Sequence, residues 1–156
     1  MNEIKNCNEK LKESFVGEKY DWYATKWQKD LSWNWAAFFL SVCWLGYRKM
    51  YKVMFLLFGF FVSLDVIMRI VWPYYPPVID NIIGGMVALF FGIKGNALYK
   101  KRVEQIVEQI QSIPEERRET TVKKEGGTST AGVFLALGLL VLYMIFVVVL
   151  YWDITV

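Results

Sequence analysis

Apolar positions gather into three long runs, and polar stretches with a helical periodicity lie before and between them. The last run, Ala131–Trp152, has 22 residues and no charge. As a helix that is enough to cross about 30 Å of hydrocarbon. The alternative, a buried core helix, needs more surrounding protein than a chain of 156 residues supplies. A first span is expected at roughly Met50–Trp72, interrupted by Asp65 and Arg69. Pro73-Tyr74-Tyr75-Pro76-Pro77 then forms a rigid turn that cannot continue a helix. A second span follows at roughly Val78–Leu98, with Asp80 and Asn81 at its start and Lys94 and Asn96 near its end. Its helix is expected to run past Lys100, where Val103, Ile106, Val107, Ile110 and Ile113 form an apolar stripe among charges. Pro114 ends it, and Glu115–Thr130 reads as a flexible linker, charged and then rich in Gly, Ser and Thr. Asp153–Val156 is a short tail.

Residues 1–31 are polar and expected to be helical, with a break at Gly17. Tyr20, Tyr23, Ala24, Trp27 and Leu31 share one helical face. Such a face suits a membrane–water interface, and the alternative is a small core face. Trp33–Tyr47 is uncharged and aromatic-rich, but 15 residues is short for a span and fits an interfacial or re-entrant segment. The expected fold is therefore all-α and integral to a membrane. It has about three transmembrane helices behind an N-terminal amphipathic and re-entrant aromatic segment. The divisions are a helical segment 1–31, the aromatic segment 32–49, a helical hairpin with its extension 50–112, a linker 113–130, and a last helix with its tail 131–156.

Composition agrees, with 55% hydrophobic and 17% aromatic residues. That is more apolar surface than a small soluble domain needs. The first thirty residues hold six Lys and six acids and no apolar run, so no secretory signal is expected and internal helices would drive insertion. Cys7 and Cys43 do not suggest a disulfide framework, and histidine is absent. Basic residues near span ends favour the cytoplasm. Arg48, Lys49 and Lys52 mark one such end, and eight basic residues lie between Lys94 and Lys124. The turn from Trp72 to Ile79 carries none. The first and last spans should thus run outward and the second inward, which leaves the C-terminus outside. The N-terminus is expected inside if Trp33–Tyr47 only dips into the bilayer, and outside if it crosses.

Four stretches carry a resemblance. They are Phe15-Val16-Gly17-Glu18-Lys19-Tyr20-Asp21-Trp22-Tyr23 with Lys26-Trp27; Ser32-Trp33-Asn34-Trp35-Ala36-Ala37-Phe38-Phe39; Trp44-Leu45 with Tyr47-Arg48-Lys49-Met50-Tyr51; and Gly95-Asn96-Ala97-Leu98-Tyr99. Together they resemble a bacterial membrane family, domain of unknown function 2628, over roughly Phe15 to Ile110. Members often have Gly-Pro ahead of the second Trp. This chain has Val42-Cys43 there, which does not itself dictate the kink that Gly-Pro would. The last span and its linker look like an addition. The resemblance implies a bacterial membrane protein and carries no catalytic or binding residues.

Asp65 and Arg69 stand four residues apart on one helix face. Asp65 lies about 10 Å along the helix from Trp72. An ionisable group that deep is either an internal ion pair, with Arg69 reaching to the headgroups, or an ion, proton or polar-substrate site. Gly59 and Ser63 occupy another face of the same helix, so both sides of it call for cover. The other spans would supply it, or a second copy of the chain. Gly84, Ala88 and Gly92 form a small-residue stripe on the second span, and Gly132 and Ala136 a shorter one on the last. Lys94 should snorkel to the inner surface. Asn96 should cap or bridge helices. Asn34, between Trp33 and Trp35, needs partners if buried and should pin its segment to another helix. Trp33, Asn34, Trp35, Arg48, Lys49 and Asn96 are therefore candidate packing or interface residues, and Asp65 with Arg69 a candidate intramembrane polar site.

Nucleic acid is not an expected partner, because acids interleave with the basic clusters at Lys100–Arg102 and Arg117–Lys124. Attraction to anionic lipid is the better reading of those clusters. No phosphate loop, metal cluster or nucleophile motif is present, so no cofactor is expected. A membrane enzyme built on Asp65 and Asp80 is a remote third reading. The expected function is that of a non-enzymatic plasma-membrane protein with an accessory, sensing or protective role. Its partners would be the bilayer and either further copies of itself or another protein. The rival is a small oligomeric channel or carrier that uses Asp65 and Arg69.

Overall fold

The computed structural model describes residues 2–29, 31–76 and 78–155, with side chains from Cys7 to Trp152. It is all-α in these residues. Helix α1 spans Asn2–Val16 and α2 spans Tyr20–Trp27, with a 3-10 turn at Gly17–Lys19 between them. Helices α3 (Trp35–Tyr47), α4 (Tyr51–Val71), α5 (Val78–Gln111), α6 (Glu115–Glu125) and α7 (Thr130–Thr155) follow. The break at Gly17 is present, and the residue takes a left-handed φ of +74° that only glycine adopts freely. Pro77, Asp30 and Val156, to which the turn, N-terminal and tail readings extend, lie outside the described residues.

Three helices are long and apolar enough to cross a membrane: α4, α5 and α7. The chain is a multi-pass membrane protein. Helices α4 and α7 run parallel. The Tyr51 hydroxyl donates to Ser129 Oγ at one end (3.3 Å), and Tyr143 meets Asp65 further along (2.7 Å). Residue numbers differ by 78 at both points, so the two helices keep step. Helix α5 runs the other way, with Asp80 near Tyr75 at one end and Tyr99 near Arg48 at the other. The backbones of α4 and α5 do not approach closely, and α3 packs on both. An apolar cleft of about 320 Å³ remains, walled by α4, α5 and α7.

Helix α3 packs chiefly on α7 and α5. Both of its ends meet the middle stretch of α5. The Asn34 N–H before it donates to the Gly92 carbonyl (2.8 Å), and Arg48 after it lies beside Tyr99. Between these points the helix bends at Ser41, which has φ 30° and ψ −95°. So a kink exists without Gly-Pro. The Ser41 hydroxyl lies 3.2 Å and 3.3 Å from the Ala37 and Phe38 carbonyls, covering acceptors that the bend would otherwise free.

The segment expected as a linker is different. Residues 115–125 form α6, with acids in the first turn, Lys123 and Lys124 in the last, and a Glu119–Lys123 pair. That order complements the helix dipole. Its only buried apolar residue, Val122, seats it against α1 and α5, too faint a stripe to read from sequence. The loop after it is tied down as well. Lys49 Nζ donates to the Lys124 and Gly126 carbonyls (2.9 and 2.6 Å), Gly127 N–H to Phe15, and Ser129 N–H to Tyr47. The stripe of Val103, Val107 and Ile110 on α5 is buried under α1 and α6 and so is not free to lie on lipid.

Small residues are used selectively. Gly46 of α3 and Gly132 of α7 bring two backbones together, with Ala136 beside them. A Cβ on Gly46 would lie 2.2 Å from the Gly132 carbonyl oxygen. Gly92 is covered by the Trp33 ring, whereas the Gly84 and Gly59 positions meet nothing within 4 Å. Helix α7 thus covers the Asp65 side of α4, and the Gly59 side is left open by this chain.

Candidate functional site

The four resembling stretches converge at the basic end of the spans. Asn34 begins the assembly. Its side-chain oxygen accepts from the Ala37 N–H (2.9 Å) and so caps α3, while its Nδ2 donates to Asn96 Oδ1 of α5 (2.8 Å). Asn96 Nδ2 in turn donates to the Ser32 carbonyl and hydroxyl (3.1 and 3.0 Å). Both amides are buried, and each spends its polar atoms on the other and on backbone. The Asn96 carbonyl accepts from Trp27 Nε1 (3.0 Å), which fastens α2 to the same turn of α5. Gly95 lets this happen, because a Cβ there would fall 2.9 Å from Ala37 Cβ. Asn34 therefore pins its segment and Asn96 bridges helices, as their positions suggested.

The stretch Tyr47–Tyr51 closes α3 in a Schellman turn. The Met50 N–H donates to the Leu45 carbonyl (2.8 Å) and the Lys49 N–H to Gly46 (3.0 Å). Lys49 takes the left-handed position, φ 56°. Met50 and Leu45 are both buried, the apolar contact that accompanies such a turn. This turn delivers Arg48 into the interior, 3% exposed. Its guanidinium carbon stands 4.7 Å from the Tyr23 ring centre, 5.0 Å from Tyr99 and 5.6 Å from Tyr47. Burial pushes the Tyr23 hydroxyl above its ordinary value, against the opposing pull of Arg48, so the ring stays neutral.

These rings offset part of the cost of burying the cation, about 2 kcal/mol for a desolvated contact. A buried charge without a counter-ion costs several kcal/mol. Among the described residues no carboxylate lies within ion-pair distance of Arg48. Its Nε has no hydrogen-bond partner, and its Nη1 lies 3.5 Å from the Tyr99 hydroxyl. Arg48 also lines a cavity of about 850 Å³ between α2 and α3, and Lys19, Lys26 and Glu18 line it too. Trp33 borders it and has a buried Nε1 without a partner. Trp35 is 63% exposed and stacks on Phe39, at the outer edge of the same segment.

The face expected to lie on the membrane surface is instead a packing face. Tyr23 and Trp27 sit against Tyr99, with ring centres 4.8 and 6.0 Å away, because α5 continues past the spans and offers them a partner. Trp22 and Leu31 are the exposed apolar residues of this region.

At the other end of the spans, Asp65 and Arg69 turn to different partners. The Tyr143 hydroxyl donates to the Asp65 carboxylate (2.7 Å), and Arg69 Nε donates to the Leu150 carbonyl (3.2 Å). Both partners are on α7, so the expected intrahelical ion pair gives way to two helix-to-helix bonds. Asp65 is 4% exposed. Tyr75 places its hydroxyl 2.8 and 2.9 Å from the two Asp80 oxygens, and Tyr151 reaches the Asp65 carbonyl (3.4 Å) and Tyr75 (3.5 Å). Tyr143 was not singled out from sequence, and Tyr151 was read only as part of an outer aromatic belt with Trp152. Tyr143 and Tyr151 are the two phenols of the last apolar run, eight residues or about two turns apart, and that spacing was the available signal.

The family model described as "Protein of unknown function (DUF2628)" matches residues 5–105, from α1 through most of α5, and leaves α6 and α7 outside. No curated protein and no solved structure matches the chain.

Proposed function

This chain belongs to the DUF2628 family, and we propose that it is a non-enzymatic protein of a bacterial plasma membrane with an accessory, sensing or protective role. The observation that carries this reading is the use made of the motif side chains. Asn34, Asn96, Ser32 and Trp27 bond one another and hold α2 and α3 on α5. That use supports a packed platform rather than a reactive cluster. In this reading α3 is re-entrant, the N-terminus and α6 are cytoplasmic, and the C-terminus is outside.

Topology is tested on native Cys7, with Cys43 changed to Ser. A membrane-impermeant maleimide is expected to label Cys7 only after cells are permeabilised. Labelling in intact cells would place the N-terminus outside and make α3 a fourth crossing.

A carrier is the second reading, favoured by the apolar cleft of about 320 Å³, which Tyr143 and Asp80 both line. The two readings separate in reconstituted vesicles. The leading one expects no protein-dependent cation or proton flux, and expects Asp65→Asn to lower thermal stability alone. Flux that disappears in Asp65→Asn while the fold survives would establish the carrier instead.

A further inference from the structure

We propose that the cavity between α2 and α3 binds an anionic amphiphile, a phospholipid with a phosphate-bearing acidic headgroup, seated on Arg48. Arg48 is the anchor because its charge is buried and no carboxylate answers it. A phosphate oxygen is a strong acceptor for a guanidinium, and arginine binds it through a fixed fork. Lys19 and Lys26 also line the cavity and Glu18 opposes their charge, which with Arg48 leaves two net positive charges around it. Phosphate therefore fits the site in sign.

The remaining wall selects an amphiphile. Leu40 of α3 and Val133 of α7 line the same cavity, as do Trp22 and Trp35. Leu40 and Trp35 are exposed on the surface of the segment, which continues into the apolar surface of the spans. An acyl chain can run along that surface while the headgroup stays on the cations. Trp rings suit such a boundary, apolar on one side and wet on the other. In the orientation proposed above the cavity faces the cytoplasmic leaflet, where anionic lipids give a negative surface potential. The inference rests on that orientation for the choice of leaflet alone. Binding in detergent does not depend on it.

The test uses the full chain in a neutral detergent, titrated with phosphatidylglycerol or phosphatidylcholine carrying brominated acyl chains. Bromine quenches nearby tryptophans, and several border the cavity. Phosphatidylglycerol is expected to quench at about tenfold lower mole fraction, an estimate that corresponds to about 1.4 kcal/mol of preference. Lys19→Gln with Lys26→Gln, at positions outside the core, is expected to remove most of that preference. Arg48→Gln should remove it entirely, and Arg48→Lys should restore part. Helical circular dichroism identifies variants that fail to fold, and the lysine pair keeps the test decisive if Arg48→Gln is one of them. Equal quenching by the two lipids, or a preference unchanged in a folded lysine pair, would overturn the proposal. Displacement of the lipid by millimolar inorganic phosphate would also overturn it, by assigning the site to a free anion.

Discussion

Gly46→Ala is expected to loosen α7 from the rest of the molecule and to lower stability by about 3 kcal/mol, at the upper end of the usual cost of overpacking. The added methyl would lie 2.2 Å from the Gly132 carbonyl oxygen and 2.8 Å from its carbon. Both are backbone atoms, so no rotamer change can relieve the clash, and the helices must part. The damage spreads because α7 supplies the partners of two residues on α4. Tyr143 would leave Asp65, and the Leu150 carbonyl would leave Arg69. Gly132→Ala should act alike, since its Cβ would meet the Gly46 carbonyl oxygen at 2.1 Å. Gly138→Ala is the control on the same helix, with nothing within 4 Å, and should change stability by less than about 0.5 kcal/mol. Unfolding in detergent mixtures, followed by circular dichroism, measures the difference. Thiol reactivity of half-buried Cys43 on α3 should rise in Gly46→Ala. A Gly46→Ala protein as stable as the Gly138→Ala control, with Cys43 no more reactive, would mean that this crossing does not hold α7.

That crossing marks a boundary of what could be read from the chain. Gly132 and Ala136 were legible as a small-residue stripe, because a run of large apolar residues surrounds them. Gly46 was not, because one glycine in a 15-residue aromatic segment has no period of its own. The three spans were legible from length and hydropathy, and so were the break at Gly17 and the continuation of α5. Helix α6 was hidden because its stability comes from charge order and one buried valine rather than from an apolar face. At the candidate sites, local spacing misled where a distant helix supplied the partner. Asp65 and Arg69 meet on one face by count, yet α7 offers each a bond that the i,i+4 rule does not include. Tyr23 and Trp27 suited an interface by composition, yet Tyr99 lay within reach. The buried amides were legible for the opposite reason. A lone Asn in an apolar segment must find a partner wherever the fold puts it.

Asn96→Ala tests how much that obligation is worth. The substitution removes the acceptor for Asn34 Nδ2 and the donor to Ser32, both in a buried setting. Leaving a buried amide donor unsatisfied costs about 1–3 kcal/mol, and the small void adds to it, so a loss of about 3 kcal/mol is expected. Asn34→Ala should cost a similar amount, because it also removes the cap on α3. The double variant should cost about 1–2 kcal/mol less than the sum of the two, since each single change strands the other amide. Additive losses would show that the two amides do not act as a pair. The site of the damage is a second readout. Trp27 bonds the Asn96 backbone carbonyl, which the substitution leaves in place, so α2 should stay docked while α3 loosens. Trypsin cleavage at Lys26 and Lys29 should then change little, and Cys43 reactivity should rise. If α2 were released as well, the platform would depend on the Asn34–Asn96 pair as a whole. The cavity lined by Arg48 would then open in the same variant, and its preference for anionic lipid would fall even though no cation had been altered.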